Sequence, residues 1–126
     1  MSKLLAASTA DNKPNYSKVI SALRSLVDPN KAKILQRFFK TAPGEYGAGD
    51  KFWGITVPQQ REVAKRYRFL SLKDTIKVLR HPVHECRLTA LLILVDKYDR
   101  GSEVEKGVIV RLYGQNMFWI NNWDLV

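Results

Sequence analysis

Cysteine is almost missing from this chain. Cys86 stands alone, so no disulfide forms within one chain and no cysteine zinc site can be assembled. That usage fits a reducing compartment, and we expect a cytoplasmic protein, nucleoid-associated if the source is bacterial. Long apolar runs are missing too. The longest, Leu88 to Val95, is broken by Thr89 and has the length of a buried helix, too short to cross a bilayer. Strict alternation of apolar and polar residues, the mark of a half-buried strand, is not sustained anywhere. Acidic residues are scarce: 12 stand against 21 lysines and arginines, a net charge of +9. An excess of that size in a small protein favours polyanionic partners, through long-range attraction and counterion release.

What is present is helical punctuation. Residues 1–14 read as a flexible leader that ends at Pro14; its first residues are too short an apolar stretch for a signal peptide, and Asp11 follows closely. Residues 15–126 read as one helical unit. Val19, Ile20, Leu23 and Val27 recur at helical spacing. Asp28-Pro29 then reads as a cap and a first-turn proline, opening a helix that buries Leu35, Phe38 and Phe39 and ends before Pro43-Gly44. Thr41 to Val57 is a long loop with four glycines, and Pro58 opens the next helix, with Val63 and Tyr67 on its apolar face. Ser71 caps a helix with Leu72, Ile76 and Leu79. Pro82 is placed in the first turn of a strongly apolar helix reaching about Tyr98, closed by Gly101. Ser102 and Glu105 form a capping box for a helix that buries Val108, Ile109 and Leu112. The pattern predicts an all-α fold of at least six helices. Short turns imply antiparallel neighbours. The two serine caps, 31 residues apart, point to stacked helix pairs.

The charge has a pattern of its own. Lys33, Arg37 and Lys40 lie at i, i+4, i+7, as do Arg61, Lys65 and Arg68, and again Lys73, Lys77 and Arg80. Each triple sets three cations on one side of one helix. Three such stripes on stacked helices predict a cationic surface that follows a phosphate backbone. Competing motifs are weak. The loop Gly44-Glu45-Tyr46-Gly47-Ala48-Gly49-Asp50-Lys51 lacks the Gly-Lys-Ser/Thr ending and a preceding strand, so its glycines are read as serving turns. His81 and His84 are separated by Pro82 and lack a third ligand, so they are not read as a metal site. Cys86 carries no signature of an activated thiol and is read as buried and structural.

Several strings in order resemble one family. They are Phe38-Phe39-Lys40-Thr41 with Pro43-Gly44-Glu45-Tyr46-Gly47, Phe52-Trp53-Gly54-Ile55-Thr56-Val57-Pro58-Gln59-Gln60-Arg61, His81-Pro82-Val83-His84-Glu85 with Leu88 to Val95, and Asn121-Asn122-Trp123-Asp124-Leu125-Val126. From about residue 18 onward the chain resembles the DNA alkylation repair enzymes, AlkD-like DNA glycosylases of HEAT-like helical repeats. The resemblance implies an α-α superhelical solenoid whose basic face holds double-stranded DNA. It further implies excision of N-alkylated purines, 7-methylguanine and 3-methyladenine, with no cofactor and no metal. A carboxylate near the sugar would stabilise the oxocarbenium-like charge there, and tryptophans would pack against the deoxyribose and the lesion.

Carried over by motif, Trp123 matches the tryptophan of the family's Trp-Asp-x-Val-Asp string and Asp124 its first aspartate, a weak catalytic candidate. The second aspartate, credited with catalysis, would be position 127. Phe38 stands where some members carry a DNA-contacting tyrosine. The chain therefore reads as the N-terminal part of a truncated solenoid, inactive alone, with a C-terminal edge that favours self-association. No membrane partner is expected. Two rival readings are a non-catalytic DNA-binding member of the fold and a protein-binding helical scaffold.

Overall fold

The computed structural model describes residues 13–38, with the backbone alone at Phe38, and residues 51–117. Among them are six helices and no sheet. Helix α1 spans Tyr16–Arg24, capped by the Asn15 side chain, which accepts the Lys18 N–H at 2.9 Å. It buries Val19, Ile20 and Leu23. The helix stops before Val27, which is 39% exposed although its spacing placed it on the apolar face. The reason is a tertiary bond: the Asp28 N–H donates to the Trp53 carbonyl at 2.7 Å, turning the chain away from the helix axis. Helix α2, Pro29–Phe38, starts as expected. The Asp28 carboxylate accepts the N–H groups of Asn30 and Lys31 at 3.1 and 3.2 Å. Ala32 is buried and Leu35 half-buried. Burial of the Phe38 and Phe39 side chains lies outside the described residues.

Helix α3, Val57–Arg66, begins with a capping box between Thr56 and Gln59 that the sequence reading missed, having taken Pro58 alone as the signal. Helix α4, Leu72–Leu79, is capped by Ser71, and helix α6, Glu103–Gln115, by the Ser102–Glu105 box. Helix α5, His84–Arg100, corrects one expectation. Pro82 precedes the helix instead of occupying its first turn. Two bonds hold the entry extended: His81 Nδ1 accepts the Val83 N–H at 3.0 Å, and the Lys51 carbonyl accepts the His84 N–H at 2.7 Å. Those donors are satisfied from outside, so the helix can begin two residues later.

Helix α5 is the central element, packed against α3, α4 and α6. Ile55, just before α3, donates to Glu85 at the start of α5, and Arg68, just after α3, meets Asp96, Lys97 and Arg100 at the end of α5. Thus α3 and α5 run side by side in one direction. Helix α4 returns against α5, and α6 does likewise, its C-cap Asn116 reaching Arg80 beyond the end of α4. Helix α1 lies along α4: the Tyr16 N–H donates to Asp74 at 3.2 Å at one end, and Arg24 approaches Trp53 near His81 at the other. Helices α4 and α6, capped by serines 31 residues apart, both pack against α5. Leu23, Leu70, Leu79 and Ile93 are fully buried in the shared core. Burial of such side chains stabilises by about 1.5–3 kcal/mol each.

Candidate nucleic-acid interface

The structure gives the cation stripes different neighbours. Arg61, Lys65 and Arg68 line a shallow groove with Ala64, Leu92 and Asp96, between α3 and α5. Arg68 pairs with Asp96 at 3.4 Å, and Asp96 also pairs with Arg100 at 2.7 Å. The hydrogen bond from Arg100 holds the Asp96 carboxyl below its ordinary value of 3.8. Half-exposed pairs of this kind add little stability, but they neutralise part of the stripe. On α4, Lys73 and Lys77 are exposed, and the Lys77 ammonium sits 5.8 Å above the Tyr16 ring of α1. Arg80 is anchored by its Nε donating to Asn116 Oδ1 at 2.8 Å. No described contact links the α3 stripe to the α4 stripe. Lys33 and Arg37 are exposed on α2. Lys40, Trp123 and Asp124, and the side chain of Phe38, lie outside the described residues, as does the C-terminal edge.

A second constellation escaped the sequence reading. The chain from Phe52 to Thr56 forms no helix or strand, yet it is held from beneath. Glu85, 1% exposed in the first turn of α5, accepts the N–H of Trp53 at 3.0 and 3.2 Å, of Gly54 at 2.7 Å and of Ile55 at 3.0 Å. One buried carboxylate thereby satisfies three consecutive backbone donors that no ladder serves. Gln60 adds a bond from its Nε2 to the Ile55 carbonyl at 2.9 Å. On this platform Trp53 is half-buried. The Arg24 guanidinium lies over its ring, 5.2 Å from the centroid, and His81 meets it edge-on at 5.4 Å. This cluster lies where the end of α1 meets the end of α4.

His81 and His84 are absorbed by packing. His84 is buried and stacks on Phe52 with ring centroids 4.8 Å apart. His81 serves as the acceptor for Val83. Burial first, then the charges of Arg24 and Arg87, push the His81 imidazole below its ordinary value of 6.5. Below 6.5 the unfolded chain binds a proton that the folded chain resists, so this contribution is complete above 6.5 and is lost as pH falls below it. Urea midpoints are therefore expected to drop on acidification below 6.5, and His81→Asn, which keeps an acceptor near Nδ1, should flatten that drop. An unchanged pH profile in His81→Asn would count against this role. Cys86 is fully buried, and burial pushes its thiol up to about 12, the behaviour of an inert structural cysteine.

Residues 19–126 match the family model described as DNA alkylation repair enzyme. The chain belongs to that family. No curated protein and no solved structure matches it. Membership gives the α1–α4 surface a context, because a DNA repair family meets a polyanion. It also explains why the resemblance was legible in ordered strings such as Phe52 to Arg61, which here form the Glu85-held platform and the start of α3. The signal that could have pointed to Glu85 was a carboxylate at the head of an apolar helix with no cationic partner at helical spacing. Its actual partners, backbone N–H groups 30–32 residues away, leave no mark in side-chain identity.

Proposed function

We propose that this chain holds duplex DNA for the excision of N-alkylated purines, 7-methylguanine and 3-methyladenine, by a helical-repeat glycosylase mechanism. The observation that carries this reading is the family match over residues 19–126. It is supported by the exposed cations Lys73 and Lys77 on α4 and Arg80 just after it. An alkylated purine already carries positive charge and leaves readily. The difficult charge develops on the sugar, and a carboxylate beside it lowers the barrier without metal or cofactor. In the family's motif that carboxylate is the second aspartate, which would fall at position 127. Asp124 precedes it by three positions and on a helix lies roughly one turn away. Displacement of that size costs large factors in rate, so Asp124 is a poor substitute.

The test has two arms. The 126-residue chain should bind duplex DNA with an affinity that falls steeply with salt, and should release neither base above the spontaneous rate. A chain carrying an aspartate at position 127 and the helices beyond it should excise both, and its aspartate-to-asparagine variant should lose roughly a hundredfold or more. Turnover by the 126-residue chain that Asp124→Asn abolishes would assign the chemistry to the first aspartate. Absence of DNA binding at low salt would instead favour a protein-binding scaffold.

A further inference from the structure

We propose that Arg24 is a phosphate-contacting residue of this protein, held ready by Trp53. The inference rests on the duplex-DNA reading above and adds to it a residue that belongs to none of the i, i+4, i+7 stripes. Arg24 ends α1 and is exposed. Its guanidinium carbon lies 5.2 Å from the Trp53 ring centroid. An arginine held over an aromatic ring keeps its fork of N–H donors, the group that pairs with a phosphate. Among the described residues no hydrogen bond or ion pair occupies those groups. Glu85, the buried carboxylate beneath Trp53, is committed to the N–H groups of Trp53, Gly54 and Ile55.

The position fits a phosphate track. The Trp53 ring also touches His81, the residue after Arg80. Helix α1 packs along α4, with Lys77 over Tyr16 at the start of α1 and Arg24 beside the end of α4. A free arginine side chain loses much rotamer freedom when it engages a ligand. Here the ring holds it in place beforehand, so less is lost on binding. Trp53 thus acts as a positioning residue, and it is itself fixed because Glu85 and Gly54 set its backbone.

The test is duplex DNA binding by the 126-residue chain across a salt series. Lys31→Ala serves as the control, because it removes an exposed cation of α2 and lowers net charge equally. Arg24→Ala is expected to weaken binding roughly three- to tenfold and to lower the salt slope by about one, beyond the control. Arg24→Lys keeps the charge but cannot stack its plane on the ring, and should weaken binding with the slope nearly unchanged. Trp53→Leu should weaken binding, and the double variant with Arg24→Ala should be no weaker than Arg24→Ala alone. The inference is overturned if Arg24→Ala matches the control, if Arg24→Lys matches the unaltered chain, or if the two single effects add in full. Failure of the unaltered chain to bind DNA would overturn the duplex-DNA reading and this inference together. Binding by the unaltered chain with Arg24→Ala equal to the control would overturn this inference alone.

Discussion

Glu85→Ala is expected to destabilise the protein by about 3–5 kcal/mol, a large fraction of the 5–15 kcal/mol typical of a domain. The carboxylate is 1% exposed and accepts three consecutive backbone N–H groups within 3.2 Å. Removing it orphans these donors, two of its bonds being fully buried. Each unsatisfied donor costs about 1–3 kcal/mol, and a lost charged acceptor lies at the upper end. Relaxation of the chain at residues 52–56 recovers part of that loss, which is why the three penalties do not simply add. Glu85→Gln should lie between, since its amide keeps one acceptor oxygen but turns an NH₂ donor against backbone donors. The measurements are the denaturant midpoint and hydrogen exchange at Trp53, Gly54 and Ile55, whose protection should vanish in Glu85→Ala. A loss under about 1 kcal/mol with protection retained would show that the platform is held by something else.

Gly54→Ala should cost about 3 kcal/mol or more, from two causes that act together. Gly54 has φ +80°, a left-handed conformation that disfavours a side chain by about 1–2 kcal/mol. In addition, a Cβ there would stand 2.1 Å from the Asp28 carbonyl oxygen and 2.8 Å from the Ala32 nitrogen. Both are backbone atoms at the start of α2, which cannot swing aside as a side chain would. The loop and α2 would have to separate, breaking the 2.7 Å bond from Asp28 N–H to the Trp53 carbonyl. Gly107 provides the contrast. It lies within α6, and a Cβ there meets nothing within 4 Å. Gly107→Ala should therefore stabilise by roughly 0.5–1 kcal/mol through helix propensity. Paired thermal or urea unfolding of the two variants decides the point. Similar stabilities for Gly54→Ala and the unaltered protein would mean that the loop yields freely.

The local devices were legible in the chain because their partners sit within one turn. Asp28, Ser71 and Ser102 each accept an N–H three residues on, and that spacing is written in the residues themselves. The apolar rows of α1, α4 and α5 follow from helical periodicity, and with them the all-helical class. Family membership was legible too, in strings of residues whose order along the chain resembles the family. Helix ends yielded less. Val27 leaves its helix and Pro82 precedes its own because distant backbone groups, the Trp53 and Lys51 carbonyls, take the decisive donors.

The cations divide at the same boundary. Spacing i, i+4, i+7 places three charges on one side of one helix, and nothing in that spacing says what stands opposite. The tertiary structure decided that Arg68 meets Asp96, that Lys77 lies over Tyr16 and that Arg80 reaches Asn116. It alone brought Arg24, Trp53 and His81 together and set Glu85 beneath them, from positions as much as 61 residues apart. The sequence by itself determined which segments coil, where most of them begin and how much positive charge they carry, because caps and periodicity act within a few residues. Which charges remain open to a phosphate was decided by folding. It depends on carboxylates, aromatic faces and backbone donors that come into reach only when the helices pack.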